Sequence, residues 1–163
     1  MASITDSSVK QLLGGRYIAS LATTYPSGKI HIVAVWYLFD GEHIYVATSS
    51  QTRKARNVKA GSNVSVMIDS RDPVASFGVT IAGTAQILTG DASRKKNDGI
   101  HRRYLSEAAL ADPVVGPVFA GWEDLTIQIT PVSVISWDMR ELDRQALGGA
   151  FARNPSFFLP LER

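Results

Sequence analysis

Apolar positions that recur with the period of an extended strand predict a mainly β protein. The longest run, residues 29–39 (KIHIVAVWYLF), would point Ile30 and Ile32 to one side and Val33 and Val35 to the other. Both faces of this strand are therefore apolar and need cover. A barrel wall that also lies against a second subunit or a ligand would supply it.

Shorter runs and the turn signals between them indicate about six antiparallel strands. Gly28 and the pair Asp40-Gly41 mark turns, Gly83 predicts a bulge, and Pro131 interrupts the last run to give a strand pair. The predicted strands are residues 16–24, 29–39, 43–48, 64–69, 77–89 and 125–137. Such a pattern is typical of an antiparallel β-barrel with peripheral helices.

Helical signals are confined to three segments. Residues 6–13 follow N-cap side chains and end at two glycines, residues 91–110 carry an apolar stripe, and a polar loop over 49–60 runs into a short helix ending at Gly61. Residues 139–163 are predicted to be irregular. Because no repeat or linker appears, we expect one domain over residues 1–163, with its core at about 8–144 and a tail at 145–163.

Composition narrows the class of protein. The 163 residues include 45% hydrophobic and 20% charged residues, which is ordinary for a globular domain with its own core. The absence of cysteine excludes disulfides, thiolate zinc sites and cysteine nucleophiles. No apolar run approaches the roughly 20 residues of a membrane span, and the first residues lack signal-peptide character. We therefore expect a cytoplasmic protein.

Charge and motif spacing argue against several functions. A formal charge of +2 gives little long-range attraction for nucleic acid, and no strand interleaves aromatic with basic residues. The three histidines show no metal-ligand spacing, and no G-x-S-x-G nucleophile motif is present. Basic residues do cluster between Arg53 and Lys59, which suits a small anionic ligand.

The segment from Thr48 to Lys54 is the best candidate for binding that anion. It follows a predicted strand and opens a short helix, where free N–H groups, hydroxyls and two cations would face a phosphate. The alternative is a capped and solvated surface helix, which local chemistry alone favours. The candidate ligands in this segment are Thr48, Ser49, Ser50, Arg53 and Lys54.

Two further segments offer surfaces for a flat aromatic group. The strand residues Ile32, Val33, Ala34, Val35 and Trp36 could form an apolar wall, although plain barrel core is the alternative for each of them.

Near the end of the last strand, Trp137 could stack on a ligand and Arg144 could pair with it. The alternative is an edge aromatic residue followed by a salt-bridged tail.

The order of these segments resembles the pyridoxamine 5′-phosphate oxidase-like family of FMN-binding split barrels, which includes deazaflavin (F420)-dependent reductases. The resemblance covers residues 8–144. It rests on the segments 18–23 (IASLAT), 31–37 (HIVAVWY), 44–48 (IYVAT), 53–57 (RKARN), 64–69 (VSVMID) and 83–85 (GTA).

The resemblance implies a six-stranded split barrel and a homodimer with the cofactor at the subunit interface. Lys54 matches the lysine that binds the cofactor phosphate, and Arg53 matches its basic neighbour. Thr48 and Ser49 match the end of the strand that contacts flavin and phosphate, and residues 32–36 match the strand beside the isoalloxazine ring. Trp137 and Arg144 look like the tryptophan and the Asp-Arg pair of the oxidase.

The function that the resemblance implies is an FMN-dependent oxidoreductase in which the flavin carries the hydride chemistry. His31-Ile32-Val33 stands where the true oxidases carry arginines, so pyridoxamine phosphate is not indicated as the substrate. Two alternatives remain open, an F420-dependent reductase and a flavin-binding protein without catalytic activity.

Overall fold

A computed structural model describes residues 2–59, 61–74 and 76–160, and it confirms a mainly β, antiparallel architecture with peripheral helices. The strands are β1 (Ala19–Thr24), β2 (Ile30–Val35), β3 (Leu38–Phe39), β4 (Ile44–Thr48), β5 (Ser62–Ser70), β6 (Phe77–Leu88) and β7 (Leu125–Asp138). The helices are α1 (Ser7–Gly14), α2 (Arg53–Asn57), α3 (Gly90–Tyr104), α4 (Glu107–Ala111), α5 (Val115–Trp122), α6 (Met139–Ala146) and α7 (Ala150–Arg153), followed by a 3-10 turn at Pro155–Phe157.

The sheet closes partly on itself. Its strand order is β2-β1-β5-β6-β7-β4-β3, so β2 and β3 lie at opposite edges although only Trp36 and Tyr37 separate them in the chain. Two residues can join opposite edges only if the sheet curls until those edges meet. The curled sheet is the split barrel, and its opening lies beside Trp36.

This closure corrects the predicted strand count from six to seven. The run 29–39 is not one strand, because the chain leaves the first edge after Val35 and joins β4 at the other edge through Leu38. The predicted strand pair at 125–137 is instead the single strand β7. Pro131 lies opposite Gly83, where the register between β6 and β7 shifts, so the predicted bulge at Gly83 is confirmed.

The barrel interior is filled by aliphatic side chains from every long strand. Leu21, Val66, Ile81, Ile127 and Ile129 are fully buried there. Helix α1 packs on this core through Val9, Leu12 and Leu13. Burial of this kind is the main favourable contribution to folding.

Two rows of residues in the middle of the outer face of five strands carry no charge. Residues that pair across β2, β1, β5, β6 and β7 form two rows, and we call these ten residues the uncharged wall. They are Ala34, Ser20, Met67, Thr80 and Ile135 in one row and Ile32, Ala22, Ser65, Ala82 and Ser133 in the other. Ile32 is 67% exposed and Ile135 is 64% exposed. The cover expected for both faces of β2 is thus not provided on this side by the chain itself.

Two helical predictions are corrected, and one helix in this region was not predicted. The predicted helix 91–110 divides after Tyr104, where Ser106 accepts a hydrogen bond from the Ala109 N–H and starts α4. Helix α2 ends at Asn57, before the predicted stop at Gly61; Ala60, within that predicted segment, lies outside the described residues. Helix α5 was not predicted at all.

The C-terminal tail is also more ordered than predicted. Asp138 caps α6 by accepting from the Arg140 N–H. The buried Asp143 carboxylate accepts hydrogen bonds from the N–H groups of Phe151 and Ala152 and so starts α7. These local caps replace the irregular chain that the sequence predicts for 139–163, of which residues 161–163 lie outside the described part.

Candidate functional site

A cavity of about 410 Å³ opens at the split of the barrel, where the end of β2 meets α2, α3 and α5. Its size falls within the range of small-molecule sites. The cavity is lined by Ile18, Ala34, Val35, Trp36, Ala47, Lys54, Ile100, Phe119 and Glu123. Seven of these nine residues are apolar.

The stacked rings of Trp36 and Phe119 line the cavity, and Tyr104, which does not line it, also stacks on Trp36. The Trp36 ring lies 5.0 Å from the Tyr104 ring with an interplanar angle of 3°, and 5.8 Å from the Phe119 ring at 17°. The Tyr104 hydroxyl donates to the Tyr17 carbonyl at 2.6 Å, which holds the end of α3 against the barrel. Such a surface suits a flat aromatic ligand, because parallel rings gain both dispersion and burial.

Lys54 provides the positive charge. It projects from α2 and is half-buried. Burial lowers the pKa of the Lys54 amine, and the negative charge of Glu123 partly opposes that effect. A cation in partly desolvated surroundings attracts an anion more strongly than an exposed one. Lys54 can therefore hold a ligand's anionic group.

Glu123 is the only other charged residue among those lining this cavity within the described chain. Its Oε2 lies 2.6 Å from the His101 Nε2, and its carbonyl accepts from the Asn97 Nδ2 at 2.9 Å. His101 and Asn97 are buried on α3, where Ser93, Asn97 and His101 form a polar stripe at four-residue spacing. This stripe ties α3 to the start of β7.

The predicted phosphate segment contributes only Lys54 to the cavity. Thr48 is fully buried, and its Oγ1 lies 2.7 Å from the Thr52 Oγ1, which also accepts from the Ala55 N–H. The Ser50 N–H donates to the Asp124 Oδ1 at 2.9 Å, and this bond holds the pKa of the Asp124 carboxyl below its usual value. These hydroxyl and amide groups therefore stabilise the turn between β4 and α2.

Two further predicted ligands in the segment also face other groups. The Ser49 Oγ accepts from the Gln51 N–H at 3.3 Å, and the Arg53 guanidinium lies 4.8 Å from the centre of the Tyr25 ring. A role for Ser49, Ser50, Thr48 or Arg53 in holding a ligand stays a prediction.

Three of the five residues that were predicted to form an apolar wall line the cavity. They are Ala34, Val35 and Trp36. Val33 packs against the barrel core, and Ile32 belongs to the uncharged wall. Ala34, Val35 and Trp36 lie together at the end of β2 beside the split, so the position along the strand decides which residues line the cavity.

Trp137 and Arg144 lie elsewhere in the chain. Trp137 lines a second cavity of about 430 Å³ between α1, α6 and the ends of β6 and β7, and its ring covers Gly78. Arg144 is exposed and pairs with Glu141 on α6. One chain does not bring these two residues to the first cavity, and a role for them at a partner's cavity stays a prediction.

Five lining residues were not singled out as ligands by the sequence. They are Ile18, Ala47, Ile100, Phe119 and Glu123. The polar stripe on α3 is the signal that could have led to Glu123, since buried polar residues at helical spacing require partners. Nothing in the local pattern around Phe119 indicates its place.

Neither a cluster of metal-ligand side chains nor a membrane-spanning helix is found among the described residues. Within 2–59, 61–74 and 76–160, no three histidine, aspartate or glutamate side chains gather as a metal site would need. No helix in the same part of the chain is long and apolar enough to cross a membrane.

Comparison with solved structures finds several similar folds. A conserved hypothetical protein of Mycobacterium tuberculosis is 25% identical with a TM-score of 0.69, and the match covers 87% of this chain and 88% of that one. An F420 reductase is 24% identical with a TM-score of 0.60, covering 77% and 94%. The heme storage protein HutZ of Vibrio cholerae is 17% identical with a TM-score of 0.60, covering 80% and 93%.

Sequence comparison identifies the family. A comparison with curated proteins finds no match to this chain. The family model described as pyridoxamine 5′-phosphate oxidase matches residues 5–131, which include the barrel up to the bulge in β7 and all the residues lining the first cavity. The chain therefore belongs to the pyridoxamine 5′-phosphate oxidase family.

Proposed function

We propose that this protein is an oxidoreductase that uses a flavin-type cofactor bound in the first cavity, with FMN as the expected cofactor. The observation that carries the proposal is the meeting of two distant segments in one cavity. Trp36 follows β2 and the half-buried Lys54 lies on α2, yet both line the same cavity. An apolar wall and a single cation match the ring and the phosphate of such a cofactor.

The roles of the chain's residues follow from their positions. Trp36 and Phe119 would contact the flat ring, Val35 and Ile100 would exclude water from it, and Lys54 would hold the phosphate. The bound cofactor supplies hydride transfer, and the protein supplies binding, orientation and electrostatics. This division of labour requires no acid or base on the protein for the hydride step itself.

Purified protein tests the proposal directly. A flavin absorption band in the protein as isolated, or quenching of flavin fluorescence on addition of FMN, supports it. Steady-state electron transfer from a reduced nicotinamide donor distinguishes an enzyme from a flavin-binding protein. Protein that binds neither FMN nor riboflavin nor F420 would contradict the proposal.

Replacing Lys54 with alanine tests the phosphate contact. Loss of a charge-assisted hydrogen bond costs about 1.5–3 kcal/mol, so FMN should bind roughly ten- to a hundredfold more weakly. Fluorescence titration measures the affinity. Lys59→Ala is the matched control, because Lys59 is an exposed lysine just beyond α2 that does not line the cavity. Equal affinities of the two variants would remove Lys54 from the site.

An F420-dependent reductase is the second candidate. An F420 reductase is among the proteins that share this fold, and F420 carries a ring of the same shape as a flavin. The cavity makes the same contacts with either ring. Quenching of F420 fluorescence by colourless purified protein would favour this candidate over FMN.

We further propose that the protein acts as a homodimer. The uncharged wall supports this, because its isoleucines Ile32 and Ile135 are mostly exposed in the single chain. Large apolar side chains exposed on an uncharged sheet face are typical of a protein interface. The cavity lies at the β2 end of the same wall, since Ala34 belongs to both.

A further inference from the structure

Glu123 faces the space that an anionic cofactor would enter. It lines the first cavity together with Lys54, and these two are the only charged residues lining it in the described chain. The ion pairs within the described residues do not include Lys54. The carboxylate is thus a second charge of opposite sign in the cavity, without neutralising Lys54 by direct contact.

Two buried residues of α3 hold Glu123 in place. His101, which is only 5% exposed, lies 2.6 Å from the Glu123 Oε2. Asn97 donates to the carbonyls of both Glu123 and Leu125, at 2.9 and 3.1 Å. Because backbone and side chain are both fixed, Glu123 cannot turn into solvent without breaking these bonds.

Three arginines on α2 and α3 have partners other than Glu123. Arg94 and Arg102 on α3 pair with Asp91 and Asp98, which lie on the same helix. On α2, the Arg53 guanidinium lies over the Tyr25 ring. When His101 is neutral, the two charges that line the cavity, those of Lys54 and Glu123, sum to about zero.

A cavity with one positive and one negative charge should bind phosphates of different charge with different affinities. A phosphomonoester such as that of FMN carries nearly two negative charges at neutral pH, because its second pKa is about 6. A phosphodiester, as in F420, carries one at the phosphate. Lys54 compensates one charge, so the second charge of a monoester meets the Glu123 carboxylate without a partner.

We propose that Glu123 is a specificity-determining residue that favours a flavin-type cofactor linked through a phosphodiester over one that ends in a phosphomonoester. His101 is the positioning residue that holds the Glu123 carboxylate in the cavity. This inference rests on the proposed function, because it assumes that the cofactor phosphate lies at Lys54. Within that function it favours the second candidate, F420, over FMN.

Two matched probes isolate the single charge. FMN and the methyl ester of its phosphate share the ring and the ribityl chain and differ by one negative charge, while riboflavin lacks the phosphate. Fluorescence titrations at pH 8.5, above the range in which histidines ordinarily bind a proton, should show the methyl ester binding about tenfold more tightly than FMN to the unaltered protein. A titration with F420, whose phosphate is a diester, then shows whether the deazaflavin cofactor binds at the same site.

The Glu123→Gln variant tests the assigned residue. It should tighten FMN binding about tenfold, reduce the preference for the methyl ester, and leave riboflavin affinity unchanged. Glu107→Gln is the control, since Glu107 is an exposed glutamate on α4 that does not line the cavity. It should alter none of these affinities.

The outcomes separate the two proposals. If the unaltered protein binds FMN as tightly as its methyl ester, or if Glu123→Gln leaves their ratio unchanged, Glu123 does not select the phosphate. If Glu123→Gln does not fold, the ratio in the unaltered protein and in His101→Gln decides, because a released carboxylate should weaken the preference. If none of the probes, riboflavin included, binds to any variant, the proposed function itself fails.

Discussion

Tyr37 connects the barrel to the helix that precedes it. Its hydroxyl lies 3.1 Å from the Leu13 carbonyl oxygen and 3.0 Å from that of Gly15, and the Arg103 guanidinium donates to the same two carbonyls. These groups satisfy the free carbonyls at the end of α1. Burial raises the pKa of Tyr37 to about 12, with a further contribution from Tyr104, while Arg103 acts in the opposite direction.

Tyr37→Phe should lower the free energy of unfolding by about 1–2 kcal/mol at pH 7, because a buried hydrogen bond is lost. The unaltered protein should lose stability as the pH rises from about 10 towards 12, since the unfolded chain releases the tyrosine proton first. The variant should lose less over that range. Urea unfolding at pH 7 and pH 10.5 measures both effects.

Tyr25→Phe is the control for this experiment, because Tyr25 lies in the turn between β1 and β2. Equal alkaline losses in the unaltered protein and in Tyr37→Phe would show that Tyr37 is not the titrating group.

At the scale of single residues, the sequence predicts which residues could bind a cofactor better than it predicts which groups they contact in the folded chain. Lys54 and Trp36 were expected at a cofactor site, and both line the cavity. Ser50 was expected there too, but its N–H already donates to Asp124, 74 residues further along the chain. Local chemistry cannot distinguish an N–H that awaits a ligand from one that a distant carboxylate has satisfied.

At the scale of elements, the bulge between β6 and β7 bends the two longest strands. The register shifts between Ala82 and Gly83, and a Cβ added at Gly83 would overlap the Thr130 carbonyl oxygen. Only glycine allows this approach of the two backbones. Strand β7 pairs with β6 along its length, and beyond the bulge residues 125–129 also pair with β4 on the other side.

Gly83→Ala should therefore destabilise the protein by about 1–3 kcal/mol, since the strands must separate or distort. Thermal or urea unfolding measures the change. Gly121→Ala is the matched control, because nothing lies within 4 Å of the added methyl group in α5. The control should be neutral or slightly stabilising. Equal behaviour of the two variants would contradict the assigned role of the bulge.

Elements with strong local signals were predicted well, and those without them were not. Strands β4, β5 and β6 lie within a residue or two of their predicted bounds, because their alternation is regular. Helices α5 and α6 were missed. Helix α5 includes Gly116 and Pro117, which usually break helices. Helix α6 begins at a cap, Asp138, which is hard to recognise among the other charged residues of this segment.

At the scale of the whole molecule, Ile32 tests the proposed dimer. A buried charge at a symmetric interface occurs in both copies, so Ile32→Glu should convert the dimer to a monomer. Light scattering after gel filtration measures the mass. Val114→Glu is the control, because Val114 on the helical side is 70% exposed, close to the 67% of Ile32. A monomeric unaltered protein, or a dimer that survives Ile32→Glu, would contradict the proposal.

The sequence by itself determined the class of the fold and two anchors of its candidate site. Period-two alternation and turn residues are local signals, and they were sufficient for the antiparallel strands and the Gly83 bulge. Trp36 and Lys54 followed from the ordered resemblance to a family, because local chemistry alone favours barrel core for the one and a solvated helix for the other. The tertiary structure decided the closure of the sheet at Trp36–Tyr37, the exposed uncharged wall, and the meeting of Lys54 with Phe119 and Glu123. These features depend on strand register and on packing between segments about 65–70 positions apart, and no local pattern encodes such distances.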